Sequence, residues 1–169
     1  AANIVYNDAA LDQAVEGVVN GIFFNQGHVC CAGSRLLLQE DIHDEFINKL
    51  EKRMQTLRVG NPLDKNTDIG AINSKEQLEK ITSLVNEGVN DGGELFQIEC
   101  DLPSSGYWFR PSLFTNVQPS YNIAREEIFG PVLTTLTFRT PEEAVEIANN
   151  TEYGLSAGVW TEKGSKILW

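Results

Sequence analysis

Two adjacent thiols stand in the stretch Phe23-Phe24-Asn25-Gln26-Gly27-His28-Val29-Cys30-Cys31-Ala32-Gly33-Ser34-Arg35. An ionised cysteine is a strong nucleophile, and a reactive one forms covalent adducts with carbonyl or acyl groups. Cys30 follows an apolar run, lies between Gly27 and Gly33, and has His28 and Arg35 close in sequence. Such chemistry needs a lowered thiol pKa or a nearby base, and backbone N–H groups to hold the oxyanion. A glycine-flanked turn can supply those amides. Composition alone favours a structural thiol, because free cysteine is among the most buried residue types. Residue type does not choose between Cys30 and Cys31. His28 is two residues from Cys30, a spacing that does not guarantee a contact, so a direct His28–Cys30 pair is not expected.

A second cluster is Arg125-Glu126-Glu127-Ile128-Phe129-Gly130-Pro131. Two carboxylates beside an aromatic ring can bind sugar hydroxyls and stack on a flat ligand; the competing reading is a solvated acidic turn. No metal site is expected: there is no CxxC, and His28 and His43 have no ligand spacing to the cysteines.

The elements that must position these clusters follow from periodicity. Residues 3–6 read as a strand ending at Asn7-Asp8, which can cap a helix over 9–24 with Leu11, Val15, Val18, Val19 and Ile22 inward. Residues 35–39 read as a buried strand and 41–58 as a helix with Ile42, Phe46, Leu50, Met54 and Leu57 on its apolar stripe. Lys52, Arg53 and Arg58 suit its C-terminal end. After a polar loop, Ser74 with Gln77 forms a capping box that opens a third helix. Residues 94–99 and 108–117 are strand-like, the second marked as an edge or irregularity by Pro111. Residues 118–131 are a long connection, 132–138 a strong strand, and Thr140-Pro141-Glu142-Glu143 a capping box with proline at the first helical position. A strand over 154–161 and a new helical segment running to Trp169 complete the chain.

This alternation predicts an α/β fold: an open, mostly parallel twisted sheet with flanking helices. Ligands in such sheets meet loops at the carboxyl ends of the strands, which directs attention to segments 25–34 and 118–131. The length of 169 residues fits one domain or a piece of one, and Ala1 and Trp169 read as cut ends within a longer protein. The net charge of −11 argues against nucleic acid or an anionic membrane as partner, and no apolar run reaches the ~20 residues of a membrane span. Three cysteines, two of them adjacent, suit reduced thiols in the cytoplasm rather than a disulfide scaffold.

Read in order, the segments resemble a known family. Phe-Phe-Asn-Gln-Gly-x-x-Cys-Cys-Ala-Gly-Ser-Arg is similar to the cysteine signature of the NAD(P)-dependent aldehyde dehydrogenases. Glu-Glu-Ile-Phe-Gly-Pro resembles a second signature, and Asn-Asn-Thr-Glu-Tyr-Gly-Leu-Ser-Ala-Gly-Val at 149–159 fits a third. The resemblance covers essentially the whole chain. It implies that Cys30 is the nucleophile, with its backbone N–H as half of an oxyanion hole and Cys31 as a small neighbour. It implies that Glu127 binds the nicotinamide ribose hydroxyls and that Phe129 packs against that ribose. The implied activity is oxidation of an aldehyde to its acid with NAD or NADP through a thiohemiacetal and a thioester. The implied partners are a small-molecule aldehyde and, for the parent protein, further copies in a dimer or tetramer. Residues 1–169 then form part of the catalytic domain. The cofactor-binding domain, the general-base glutamate and the closing segment lie outside the chain, and the isolated chain is expected to be inactive. His28 stands where the family usually has Gln or Glu. The rival readings are a non-catalytic relative used as a structural or interaction domain, and a cysteine hydrolase with His28 as base.

Overall fold

A computed structural model describes residues 1–168. The elements are β1 (Ala2–Val5), α1 (Leu11–Phe23), β2 (Arg35–Gln39), α2 (His43–Met54), α3 (Lys75–Asn90), β3 (Glu94–Gln97), β4 (Ser112–Thr115), α4 (Asn122–Arg125), β5 (Val132–Phe138), α5 (Pro141–Asn149), β6 (Ala157–Trp160) and α6 (Gly164–Leu168). Trp169, the last residue of the helical segment expected from sequence, lies outside the described residues. The strands form one open sheet in the order β3-β4-β5-β2-β1-β6. Every pair is parallel except β3–β4, so the expected mostly parallel α/β sheet is the one that forms.

Strand side chains alternate between faces, and the alternation sorts the core into layers. Val5, Leu36, Leu38, Leu113 and Leu133 point to the face covered by α1 and α2, where Val15, Val18, Ile22, Phe46, Leu50 and Met54 complete one cluster. Ile4, Tyr6, Leu37, Leu136 and Phe138 point the other way, against Ala144 of α5. Phe114 and Val132 share that second face with Ile81 and Val85 of α3 and Ile123 and Ala124 of α4. Helices on both faces explain why β2 and β5 read as near-continuous apolar runs.

Several local expectations change. Asn7 and Asp8 do not cap α1, whose N-cap is Ala10 with no side-chain bond. Asn7 instead donates its side-chain amide to Asp41 at 2.8 Å. Asp8 accepts from Thr161 at 2.9 Å and from Lys166 at 2.9 Å, tying the end of β1 to the last segment. The helix expected over 41–58 starts with a 3₁₀ turn, Glu40–Ile42, and ends at Met54, leaving Arg58 beyond it. The strand expected over 108–117 shortens to Ser112–Thr115 and is interior, not an edge. Pro111 sits just before it, where only its carbonyl is used, accepting from Ile98 N–H at 3.3 Å. The 118–131 connection contains α4, a single turn too short to show periodicity. Both capping residues act as expected, Ser74 accepting from Gln77 N–H at 3.1 Å and Thr140 from Glu143 N–H at 3.3 Å.

Candidate active site

α1 ends at Phe23 and the chain turns on three consecutive left-handed residues, Asn25 (φ 48°), Gln26 (φ 57°) and Gly27 (φ 74°). Left-handed backbone costs a residue with a side chain roughly 1–3 kcal/mol and survives only where surrounding contacts fix it. Here the Gln26 side-chain oxygen accepts from Gly70 N–H at 2.8 Å, and Asn25 donates to the His28 carbonyl at 3.4 Å. A β-turn follows, closed by Ala32 N–H donating to the Val29 carbonyl at 2.9 Å, with Cys30 and Cys31 at its two central positions. Both thiols are exposed, and their exposure does not separate one from the other. Gly33 N–H then returns to the Gly21 carbonyl of α1 at 3.1 Å, and Ser34 leads into β2.

The second cluster is held from α3. Gln77 donates its side-chain amide to the carbonyls of Ile128 at 2.8 Å and Phe129 at 3.0 Å. Lys80 donates to the Glu127 carbonyl at 2.8 Å. Phe129 itself is left-handed, at φ 52°. Gly130 lies flush on Ile81, where a Cβ would come within 2.6 Å of its side chain. The two loops meet backbone to backbone: a Cβ on Gly27 would collide with the Gly130 carbonyl oxygen. That closure brings the cysteine turn and the Glu127–Phe129 loop together. Glu126 is exposed, while Glu127 and Phe129 are half-buried. The Ala1 ammonium lies against the cysteine turn and donates to the Ala32 carbonyl at 3.3 Å; burial first, then Arg35, lowers its pKa.

His28 makes its ring hydrogen bond outside the cysteine turn. Its Nε2 accepts from the Asn73 backbone N–H at 3.2 Å. Burial pushes its pKa down, and the Phe129 backbone pulls the other way with smaller effect. Among the described residues the ring makes no hydrogen bond to Cys30, so the structure shows no His28–Cys30 pair.

Beside the cysteine turn lies a cavity of about 310 Å³, on whose wall stand Ser34, Arg35, Glu127, Asn149, Thr151 and Ser156. The third motif thus reaches the same place as the other two. Cys30 and Phe129 are not among the lining residues. The cavity sits where β1, β2 and β6 begin, and loop 126–130 leads into β5. This corrects the expectation of a site at the carboxyl ends. Parallel pairing gathers the starts of these strands on one side, and the irregular segments that bear the motifs are those entering β2 and β5.

Sequence reasoning marked Arg35 near the thiols but not its partners, and missed three further contributors. Arg35, buried at the start of β2, donates to the carbonyls of Ile147 and Ala148 at the end of α5, the second at 3.2 Å. Gln77 and Lys80 hold the glutamate loop, and Asn73 holds His28. Of Gln77, Lys80 and Asn73, only Gln77 carried a signal, since its place in the capping box marked it without revealing where its amide goes. Among the described residues there is no group of three His, Cys, Asp or Glu side chains placed to hold a metal, and no helix long and apolar enough to cross a membrane.

The Aldehyde dehydrogenase family model matches residues 1–169. The mitochondrial aldehyde dehydrogenase of Homo sapiens is 44% identical over 160 residues, 95% of this chain and 31% of that protein. Retinal dehydrogenase 2 of Taeniopygia guttata is 43% identical over 169 residues, 98% of this chain and 32% of that protein. The crystal structure of an NAD-dependent aldehyde dehydrogenase from Sinorhizobium meliloti superposes with a TM-score of 0.95 at 44% identity, covering 99% of this chain and 33% of that one. An indole-3-acetaldehyde dehydrogenase complexed with NAD+ gives 0.94 at 43% identity, covering 98% and 34%. The chain therefore spans about a third of the length of the proteins it matches. Its motifs, its sheet and its relatives agree, and the chain belongs to the aldehyde dehydrogenase family.

Proposed function

We propose that the full-length protein containing this chain oxidises an aldehyde to the carboxylic acid with NAD+ or NADP+, with Cys30 as nucleophile. The observation that carries this reading is the backbone closure of Gly27 on Gly130, which sets the Cys30 turn beside the loop of Glu127. Two similar structures are described as NAD-dependent or as complexed with NAD+, which supports the choice of cofactor.

The cofactor fits the groups present. Lys80 holds Glu127 by its backbone carbonyl, so the carboxylate on the cavity wall is left to accept ribose hydroxyls. Phe129, fixed from behind by Gln77, offers a ring beside that ribose. When bound, the nicotinamide supplies the hydride acceptor. The Cys30 thiolate adds to the aldehyde carbon; a C–S bond forms and the carbonyl π pair moves to oxygen. The Cys30 backbone N–H, at the open end of the turn, donates to that oxyanion. When the oxygen pair re-forms the carbonyl, hydride is lost and a thioester remains on Cys30. Water adds to the thioester, the C–S bond breaks, and the thiolate is restored as the acid leaves. The base that activates this water belongs to the rest of the protein. Residues 1–169 act as part of the catalytic domain, and the isolated chain does not turn over. The parent works in the cytoplasm as a homo-oligomer.

The test is labelling and turnover in the full-length protein. At neutral pH iodoacetamide modifies Cys30 before Cys100, and Cys30→Ser lowers NAD(P)-linked oxidation across an aldehyde panel by about a thousandfold or more. Equal, slow labelling of both thiols removes the nucleophile assignment. A wild-type protein without turnover moves the reading to a non-catalytic relative.

A further inference from the structure

His28 stands at the position of the cysteine motif where the resembled family usually has Gln or Glu, and its ring reaches across to another segment. It belongs to the cysteine turn, two residues before Cys30. Its Nε2 takes the Asn73 N–H at 3.2 Å, from the stretch that leads into α3. Its other neighbour is the Phe129 backbone, on the loop that carries Glu127. A ring nitrogen that accepts an N–H has no proton on it, so the ring is the neutral tautomer with its hydrogen on Nδ1. Neither contact serves the thiol.

We propose that His28 is a positioning residue, a latch that ties the cysteine turn to the segment of Asn73, which leads into the helix that holds the Phe129 loop, while its ring is neutral. A charged ring carries hydrogen on both nitrogens, and its Nε2–H meets the Asn73 N–H donor against donor. The latch then opens on the Asn73 side. Burial, the larger influence, favours the neutral ring, and the Phe129 backbone opposes it. With a folded value below the usual histidine value, the contribution is complete above that usual value and is lost as pH falls through the depressed one. No charged side chain contributes to the shift. The titratable groups on the surrounding segments are Cys30 and Cys31 on its own turn, Glu126 and Glu127 on the facing loop, and Asp68, Lys75 and Glu76 beside Asn73.

The consequence for the site rests on the reading of Glu127 as a cofactor ligand; the latch itself does not. Two measurements on the full-length protein in a Cys30→Ser background, where that thiol cannot titrate, separate the two. The first is hydrogen exchange at the Asn73 amide, compared at each pH with His28→Gln, whose side-chain oxygen also accepts but does not titrate. The expected result is equal protection at pH ~7.5 and about fivefold faster exchange in the histidine protein at pH ~5, the size of one ordinary hydrogen bond. Identical exchange in the two proteins at both pH values overturns the latch. The second is NAD+ affinity by equilibrium binding. The expected result is several-fold weakening on acidification with His28 and a flat profile in His28→Gln. If exchange responds but no NAD+ binds at any pH, the latch stands and the cofactor reading falls. If NAD+ binds and its affinity runs parallel in the two proteins, the latch has no hold on the site and the positioning role is overturned.

Discussion

Between α1 and α2 the protein is held by side chains. Val15, Val18 and Ile22 meet Phe46, Leu50 and Met54 in one cluster, and two ion pairs close its rim, Lys49 with Asp12 at 2.7 Å and Arg53 with Glu16 at 2.7 Å. Where loop 24–34 meets loop 126–130 it is held by main chain. Gly27 rests on the Gly130 carbonyl, and each loop is gripped by its peptide groups from outside: Gln77 and Lys80 of α3 hold the carbonyls of Ile128, Phe129 and Glu127, while Gln26 takes the Gly70 N–H. In the helix pair the side chains carry the structure and are fixed by it. At the junction peptide groups are what is held, and the side chains of Cys30, Cys31 and Glu127 make no hydrogen bond among the described residues.

Three substitutions test that contrast. Phe46→Ala empties a fully buried site and is expected to cost about 3–5 kcal/mol in urea unfolding. The protein that remains folded should keep the Cys30-to-Cys100 alkylation ratio of the wild type; a changed ratio means the two regions are not separable. Gly27→Ala pushes a methyl into the Gly130 oxygen at a φ of 74°. Its expected cost is about 2–3 kcal/mol, with a clear change in the same alkylation ratio. An unaltered ratio would mean the closure does not shape the thiol's surroundings. Lys49→Ala breaks an exposed pair on the rim. The midpoint should move no more than repeat measurements scatter, because water and salt screen such pairs. A shift as large as that of Gly27→Ala would show that the helix pair depends on its charges.

The same contrast explains what can be read from the chain. Leu11, Val15, Val18 and Ile22 recur at helical spacing, and the Val132–Phe138 run reads as a strand buried on both faces, so the layers are legible in the sequence. Cys30, Glu127 and Phe129 are legible as motif residues. The grip of Gln77 on Ile128 and Phe129 is not, because it spans about fifty residues and binds carbonyls, which every residue has. The partners of Arg35 are hidden for the same reason, since they are the peptide carbonyls of Ile147 and Ala148. The motif residues lie on the side of the sheet opposite to expectation. The rule behind that expectation concerns loops that leave strands, and the motifs here lie on segments that enter them.

The place of β1 between β2 and β6 has a consequence for birth on the ribosome. Ala2 pairs with Arg35 on one side and with Ala157 on the other. The first edge is met almost at once, the second only after more than a hundred further residues have been made. At about 5–20 residues per second, one flank of β1 stays unpaired for roughly 6–25 seconds of synthesis. An open strand edge is a template for other chains. Crowded translation is therefore the stage at which this sequence is most open to mispairing, and a holdase that shields nascent strands should raise its yield more than one that refolds finished chains.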